Sequence, residues 1–113
     1  MKINNYSFGS MVINNKKYDY DIIILNNQVI KWWRKKGHFM QLEDITSYID
    51  IEKKKPEIMV IGKGYEGIMQ VSDEVKKFIK DRKIELIIKK TRESVEVFNS
   101  ENRKKIGFFH LTC

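Results

Sequence analysis

The sequence predicts a single α/β domain over residues 1–113, in which an N-terminal antiparallel meander is followed by a βαβαβ half with helices packed on the sheet. Three observations support this. β-Branched runs separated by Asn-Asn pairs occupy the first third of the chain. Apolar runs alternate with helical apolar spacing in the remainder. No linker divides the two parts, and 113 residues suit one domain.

The meander is predicted from turn chemistry and from alternation. Asn14-Asn15 and Asn26-Asn27 mark hairpin turns, because asparagine tolerates the left-handed backbone that such turns need. Asp21–Leu25 is rich in β-branched residues and is predicted to be a buried strand. Gln28–Arg34 is the returning strand. Its alternation places one residue of Trp32-Trp33 in the core and the other outside, with the adjacent basic residues in solvent.

The second half is predicted to alternate between helix and strand. Helical spacing over Leu42–Ile49 indicates a short amphipathic helix, and Ser72 and Thr91 are candidate N-caps of two more helices. The predicted strands are Glu57–Ile61, Ile84–Ile88 and Lys105–Leu111. Right-handed crossovers between such strands give a partly parallel sheet. We therefore expect a mixed sheet, or two packed sheets, with helices covering one face.

Composition narrows the classes of function. The net charge of +7 comes from 22 basic and 15 acidic residues, which fits either an acidic partner such as a nucleic acid or a lysine-rich solvent surface. Cys113 is the single cysteine, which excludes an internal disulfide and fits a reducing compartment. Met1–Asn5 contains no apolar leader, and no apolar run approaches the ~20 residues that span a bilayer. We expect a cytoplasmic protein without membrane contact.

The segment Gly62-Lys63-Gly64-Tyr65-Glu66-Gly67 follows a predicted strand and matches the glycine spacing of dinucleotide sites. The context differs, because no helix opens within the motif and the next strand ends in Lys89-Lys90 instead of an acid. A tight loop with positive φ at several glycines is the alternative interpretation. Such a loop can still line a ligand cavity, because ligands of open α/β sheets bind after parallel strands.

Two other segments carry chemically versatile residues. Trp32–His38 combines aromatic and basic side chains, which can stack bases and contact phosphates, although a half-buried strand has the same composition. His110 and Cys113 could supply nucleophile or metal chemistry. Strand alternation turns these two side chains to opposite faces. One cysteine and two histidines supply a zinc site poorly. We therefore expect no cofactor, no metal site and no catalytic set.

Several short pieces together resemble the small Mth-type domain family of unknown molecular function. The relatives include an adipogenesis-associated protein and a mitochondrial assembly factor for respiratory complex I. The pieces, in chain order, are Trp32-Trp33-Arg34, Val60–Gly64, Gly67, Thr91, Val97-Phe98-Asn99 and Phe109–Cys113. The resemblance covers most of the chain. It implies a three-layer mixed α/β fold with a cavity near the glycine loop, and it implies no established enzyme activity.

The resemblance also implies which residues lie near that cavity. They are Trp33, Arg34, Gly62, Lys63, Gly64, Gly67, Thr91 and Asn99, and we add His110 as a candidate that faces it. Lys63 departs from the small residue or arginine that is usual in the family. Together with Lys89-Lys90 it makes any pocket mouth more positive and favours an anionic ligand. The assembly role is not transferred, because the sequence shows no mitochondrial presequence.

Three functions follow as hypotheses. The first is a non-enzymatic binding, scaffold or assembly domain that recognises a protein partner or a small anion beside the glycine loop. The second is an enzyme for a small anionic substrate, in which Thr91, Asn99 and His110 would have to converge on one cavity. The third is a nucleic-acid-binding module that uses a tryptophan and the lysine clusters at 53–55, 89–92 and 103–105. A homodimer through an exposed tryptophan or an unpaired strand edge is a further expectation.

Overall fold

The structure, a computed structural model, describes residues 1–113. Its strands are β1 (Ile3–Ser7), β2 (Ser10–Ile13), β3 (Lys16–Tyr18), β4 (Ile22–Leu25), β5 (Gln28–Lys31), β6 (Phe39–Met40), β7 (Ile58–Lys63), β8 (Gln70–Val71), β9 (Glu85–Lys89) and β10 (Lys105–His110). Its helices are α1 (Glu43–Thr46), α2 (Ile51–Lys54), α3 (Asp73–Asp81) and α4 (Thr91–Ser100). No helix is both long enough and apolar enough to cross a membrane.

The N-terminal meander and its turns are confirmed. Strands β1, β2 and β3 form an antiparallel sheet, and β4 and β5 form a second hairpin. Asn14 and Asn15 have φ values of 48° and 68°, and Asn26 has a φ of 55°. These are the left-handed conformations that the two Asn-Asn pairs predict.

Five strands form the central sheet in the order β5-β4-β10-β7-β9. Strand β10 runs antiparallel to β4 and parallel to β7, and β7 runs parallel to β9. The β4–β5 hairpin and the βαβαβ half therefore share one mixed sheet, with β10 as the junction, and β1–β3 form a separate sheet. This confirms the predicted fold class.

Helices cover both faces of the central sheet, so the expectation that they cover one face is wrong. The crossover from β7 to β9 steps outward through α3, and the crossover from β9 back to β10 passes over β7 through α4. Two right-handed crossovers that step in opposite directions place their helices on opposite faces. The strand order decides which face each helix covers, and this order depends on pairing between strands that are far apart in the sequence.

The core consists of two layers, one on each face of the sheet. One layer packs Ile61 and Phe108 against α1, α2 and α3, and it also holds Trp32. The other packs Val60 and Phe109 against α4 and the three-stranded meander sheet. The molecule has three layers as a result, and the apolar runs of β7 and β10 are buried on both faces, as expected of central strands.

The boundaries of two helices differ from the prediction. The helix predicted over Leu42–Ile49 is shorter in the structure, where α1 ends at Thr46. Asp50 is extended and accepts a hydrogen bond from the Lys53 N–H, which starts α2 as a separate turn. Ser72 caps α3 as predicted and accepts from the Val75 N–H at 3.1 Å. Thr91, in contrast, is the first residue of α4 and does not cap it, since Lys90 occupies the N-cap position.

Candidate functional site

The glycine loop is fastened to the first turn of α4 and to the end of β10. The Thr91 hydroxyl accepts from the Gly64 N–H at 2.9 Å and donates to the His110 carbonyl at 2.6 Å. The Thr91 N–H in turn donates to the Gly64 carbonyl at 3.1 Å. Thr91 is fully buried. Its hydroxyl therefore joins three segments of the chain and is not directed toward a ligand.

The space beside the glycine loop is filled by the protein itself. A Cβ on Gly64, whose φ is +102°, would lie 2.4 Å from the Thr112 carbonyl oxygen. A Cβ on Gly62 would lie 2.6 Å from the Ser94 hydroxyl, so this glycine lets α4 pack against β7. Tyr65 and Ile68 donate their N–H groups to the carbonyls of residues 112 and 113. None of the five cavities on the molecule is lined by the loop.

A buried polar cluster lies at the end of β10. His110 Nδ1 is 2.7 Å from Asp21 Oδ2, and Arg34 Nη2 lies 2.9 Å from the same oxygen. The Leu111 N–H donates to Asp21 Oδ1 at 2.7 Å. Burial alone would raise the pKa of Asp21, but these hydrogen bonds and the Arg34 charge hold it below its usual value. The carboxylate is therefore ionised at neutral pH and can accept a hydrogen bond from an Nδ1–H of His110.

Arg34 was expected in solvent, and the structure buries it. Its guanidinium stacks on the Trp32 ring at 4.4 Å and donates through Nε and Nη2 to the Gly37 carbonyl. This contact shapes the loop between β5 and β6, which carries His38 to the carboxyl ends of the parallel strands. Asp21 balances the arginine charge. A buried Arg–Asp pair of this kind is destabilising unless its groups are hydrogen-bonded; both Asp21 oxygens and Arg34 Nε and Nη2 are bonded here, whereas Arg34 Nη1 is buried without a partner.

His38 and Cys113 complete the cluster. His38 Nε2 lies 3.2 Å from Cys113 Sγ, and the potential ligand atoms of His38, His110 and Cys113 all lie within 4.8 Å of one another. The alternation argument that separated His110 from Cys113 is wrong. Strand β10 ends at His110, and the following residues leave the strand and cross the glycine loop. Alternation holds only while the backbone stays extended.

The sequence-predicted residues divide into two groups. Arg34, His110, Thr91 and the glycine loop meet at the end of β10. Asn99 lies apart, since its amide pairs with both backbone groups of Ile3 at 2.8 and 3.0 Å and so anchors β1. Trp33 also lies apart, with 69% of its surface exposed, beside α1.

The sequence did not predict that Asp21, His38 and Cys113 come together around His110. Asp21 stands directly before a buried strand, and His38 closes a loop that contains Gly37. Neither position carries a distinctive spacing relative to His110. Their common location depends on the pairing of β4 with β10 and on the path of the loop after β5.

Exposed apolar and basic side chains surround the cluster at the loop end of the sheet. Phe8 and Tyr65 have ring centroids 5.7 Å apart and are 60% and 42% exposed, and Ile68 is 48% exposed. Lys63 and Lys90 flank Gly67, and the Arg92 guanidinium lies 5.8 Å from the Tyr65 ring. We call this region the loop-end surface and define it by Phe8, Lys63, Tyr65, Ile68, Lys90 and Arg92.

The three lysine clusters do not form one basic surface. Residues 53–55 precede β7, and residues 103–105 lead into β10, so both clusters lie at the amino ends of the parallel strands. Residues 89–92 lie at the carboxyl end of β9. A six-residue strand separates the two ends by ~20 Å. Arg103 is also paired with Glu85 and Glu101. This arrangement does not favour a continuous nucleic-acid interface.

The family relationship follows from comparison of the whole chain. Residues 3–110 match the model of the protein family of unknown function DUF498/DUF598. The chain belongs to this family. None of the curated proteins matches its sequence.

Several solved structures have the same fold as this chain. The conserved hypothetical protein PH1505 from Pyrococcus horikoshii OT3 superposes with a TM-score of 0.90 at 24% identity, over 100% of both chains. The protein MT938 superposes with a TM-score of 0.80 at 23% identity, over 99% of this chain and 98% of that one. A Mth938-like domain from Bordetella pertussis gives 0.64 at 11% identity, over 97% and 85%. This DUF498/DUF598 member therefore has the Mth938-like fold that its sequence resembles.

Proposed function

We propose that this DUF498/DUF598 member is a non-enzymatic binding domain that contacts a protein partner through the loop-end surface. The observation that carries the proposal is a set of three exposed apolar side chains: Phe8 and Tyr65, whose ring centroids lie 5.7 Å apart, and Ile68, three residues after Tyr65. Exposed apolar residues in one patch mark interaction sites, and aromatic residues are the usual anchors of such sites.

The positive charge of the loop-end surface supports a partner that carries acidic residues. Lys63, Lys90 and Arg92 lie between and beside the apolar side chains. Cations around an apolar centre fit an apolar segment that carries acidic residues, because complementary charge guides association and fixes orientation. The surface is built on residues at the ends of β1, β7 and β9, which a rigid sheet supports.

Binding is favoured over catalysis on a small anion because the polar groups expected to serve an enzyme are already engaged. The Thr91 hydroxyl is bonded to Gly64 and His110, and the Asn99 amide is bonded to Ile3. The space beside the glycine loop is occupied by the residues that follow β10. No observation favours an anionic substrate at this place.

The test is an affinity capture from extracts of cells that naturally produce the chain, followed by a binding titration with the captured partner. Tyr65→Ser removes an anchor of the loop-end surface, and Trp33→Ser removes an aromatic residue of even greater exposure elsewhere. We expect Tyr65→Ser to raise the Kd at least tenfold, since truncation of an anchor costs ~2 kcal/mol. Trp33→Ser should bind as the unmodified chain does.

Two outcomes contradict the proposal. One is the absence of any partner that binds the purified chain directly. The other is a partner whose affinity falls with Trp33→Ser and not with Tyr65→Ser. Sedimentation velocity on the purified chain shows whether the partner is a second copy of the same chain. In that case the unmodified chain sediments as a dimer and Tyr65→Ser sediments as a monomer.

A further inference from the structure

Three potential metal ligands from different segments meet at the carboxyl edge of the sheet. His38 comes from the loop after β5, His110 is the last residue of β10, and Cys113 follows it. Their ligand atoms lie within 4.8 Å of one another, and the closest pair, His38 Nε2 and Cys113 Sγ, is 3.2 Å apart. Tetrahedral zinc with Zn–N of ~2.0–2.1 Å and Zn–S of ~2.3 Å places ligand atoms roughly 3.3–3.6 Å apart. Zinc binding therefore requires side-chain rotations that shorten the widest of the present separations, which reach at most 4.8 Å.

His110 presents an unpaired ring nitrogen to this group. Its Nε2 is buried and has no hydrogen-bond partner, and the side chain is 6% exposed. A buried polar atom without a hydrogen-bond partner lowers the stability of the folded state. A bound ion is one explanation for such an atom. His110 Nδ1 lies 2.7 Å from the ionised Asp21 carboxylate, which only accepts, and 2.9 Å from Arg34 Nη2, which only donates. In the tautomer that donates Nδ1–H to Asp21, the lone pair is on Nε2. The lone pair is the form of the ring that binds a metal.

The carboxylate that orients His110 is itself held in place. The Leu111 N–H donates to one oxygen of Asp21, and Arg34 binds the other. A carboxylate that accepts the second ring N–H of a histidine is the recurrent outer shell of histidine metal ligands, where it fixes the tautomer and raises the basicity of the ring. The contact between Asp21 and His110 therefore has the geometry of such an outer shell.

We propose that His38 Nε2, His110 Nε2 and Cys113 Sγ form a zinc site with a fourth position open to water or to another ligand. Two imidazoles and a thiolate are the donors that zinc accepts, whereas calcium and magnesium require oxygen ligands. His38 is exposed and Cys113 is partly exposed, so that the metal has a path of entry. This proposal goes beyond the binding function and does not depend on it.

A hydrogen bond between His38 and Cys113 accounts for only part of the arrangement. It pairs those two side chains and leaves His110 Nε2 buried without a partner. A zinc ion satisfies all three atoms at once.

The test is isothermal titration of the purified full chain, free of any polyhistidine tag, with zinc chloride. We expect one zinc per chain with a Kd below about 1 µM. Cys113→Ser and His38→Gln should each raise the Kd at least tenfold. Asp21→Asn, which acts through His110, should raise it by ~10–100-fold. Lys36→Gln, an exposed change in the same loop as His38, should leave it within about threefold.

Folding of each variant is checked by its far-ultraviolet circular dichroism and by its thermal transition without zinc. His38 and Cys113 are not in the core, so their variants should melt with the unmodified chain. The proposal is overturned if the unmodified chain binds no stoichiometric zinc. It is also overturned if zinc binds the folded Cys113→Ser and His38→Gln variants as tightly as it binds the unmodified chain.

Discussion

Removal of the Thr91 hydroxyl tests whether this side chain joins the glycine loop to β10. Thr91→Val keeps the shape of the side chain and removes one hydroxyl, which leaves the Gly64 N–H and the His110 carbonyl without that partner. Each buried group that loses its partner costs ~1–3 kcal/mol. Two such groups lower the free energy of unfolding by about 2–5 kcal/mol. The methyl that replaces the hydroxyl must also fit where oxygen contacts of 2.6 and 2.9 Å existed, which adds to the loss.

The assay is urea denaturation followed by tryptophan fluorescence, which gives the free energy of unfolding for each variant. Thr91→Ser retains the hydroxyl and should lose only ~1 kcal/mol for the missing methyl. Thr46→Val is the matched control, because Thr46 is exposed and its hydroxyl makes only a long contact of 3.4 Å with the Leu42 carbonyl. It should change stability by less than ~0.5 kcal/mol. A Thr91→Val variant as stable as this control would refute the reasoning.

Three other predictions concern the parts that surround the site. Gly64→Ala should lower the free energy of unfolding by more than ~2 kcal/mol, because a φ of +102° is strained for alanine and the new Cβ would meet the Thr112 carbonyl. Gly37→Ala is the control: its Cβ meets nothing within 4 Å, so it should be neutral in the same urea assay. Asn99→Asp should cost ~1–2 kcal/mol and speed amide exchange in β1, because a carboxylate cannot donate to the Ile3 carbonyl; unchanged exchange in β1 would contradict this. Burial raises the pKa of Tyr6 to about 12, so the unfolded chain loses this proton first and the free energy of unfolding should fall by up to ~2 kcal/mol as the pH rises from about 10 to 12. The fall should be smaller in Tyr6→Phe, and an equal fall in both chains would argue against that pKa.

The parts of the fold that local chemistry decides could be predicted from the sequence. The Asn-Asn pairs specify hairpin turns because few residues other than glycine and asparagine adopt left-handed backbone at low cost. Ser72 specifies the start of α3 through a hydrogen bond within its own first turn. Alternation correctly separates the buried Trp32 from the exposed Trp33. Although β5 ends at Lys31, the Trp32 N–H still donates to the Asp21 carbonyl, which continues the pairing of the hairpin.

The parts that long-range pairing decides could not be predicted. The two faces that the helices occupy depend on β10 inserting between β4 and β7, and no local signal encodes that order. Arg34 is buried because Asp21, from the other strand of a hairpin, supplies its counter-charge. Cys113 reaches His38 only because the chain bends away after β10 and crosses the glycine loop.

The candidate site therefore differs from the expected one in composition while keeping its location. The sequence and the family resemblance directed attention to the glycine loop and to His110, and these do lie at one edge of the sheet. The candidate functional residues at that edge are the potential metal ligands His38, His110 and Cys113. The exposed apolar residues Phe8, Tyr65 and Ile68 lie at the same edge. Thr91 and the glycines build the place where these groups meet.

The zinc site is tested most directly by X-ray absorption at the zinc edge of the one-to-one complex. The three-ligand arrangement predicts one sulfur scatterer at ~2.3 Å together with nitrogen or oxygen scatterers at ~2.0–2.1 Å. The sulfur contribution should vanish in Cys113→Ser, since the chain contains no other cysteine. A shell of nitrogen and oxygen alone in the unmodified chain would contradict coordination by Cys113, and with it the site formed by His38, His110 and Cys113.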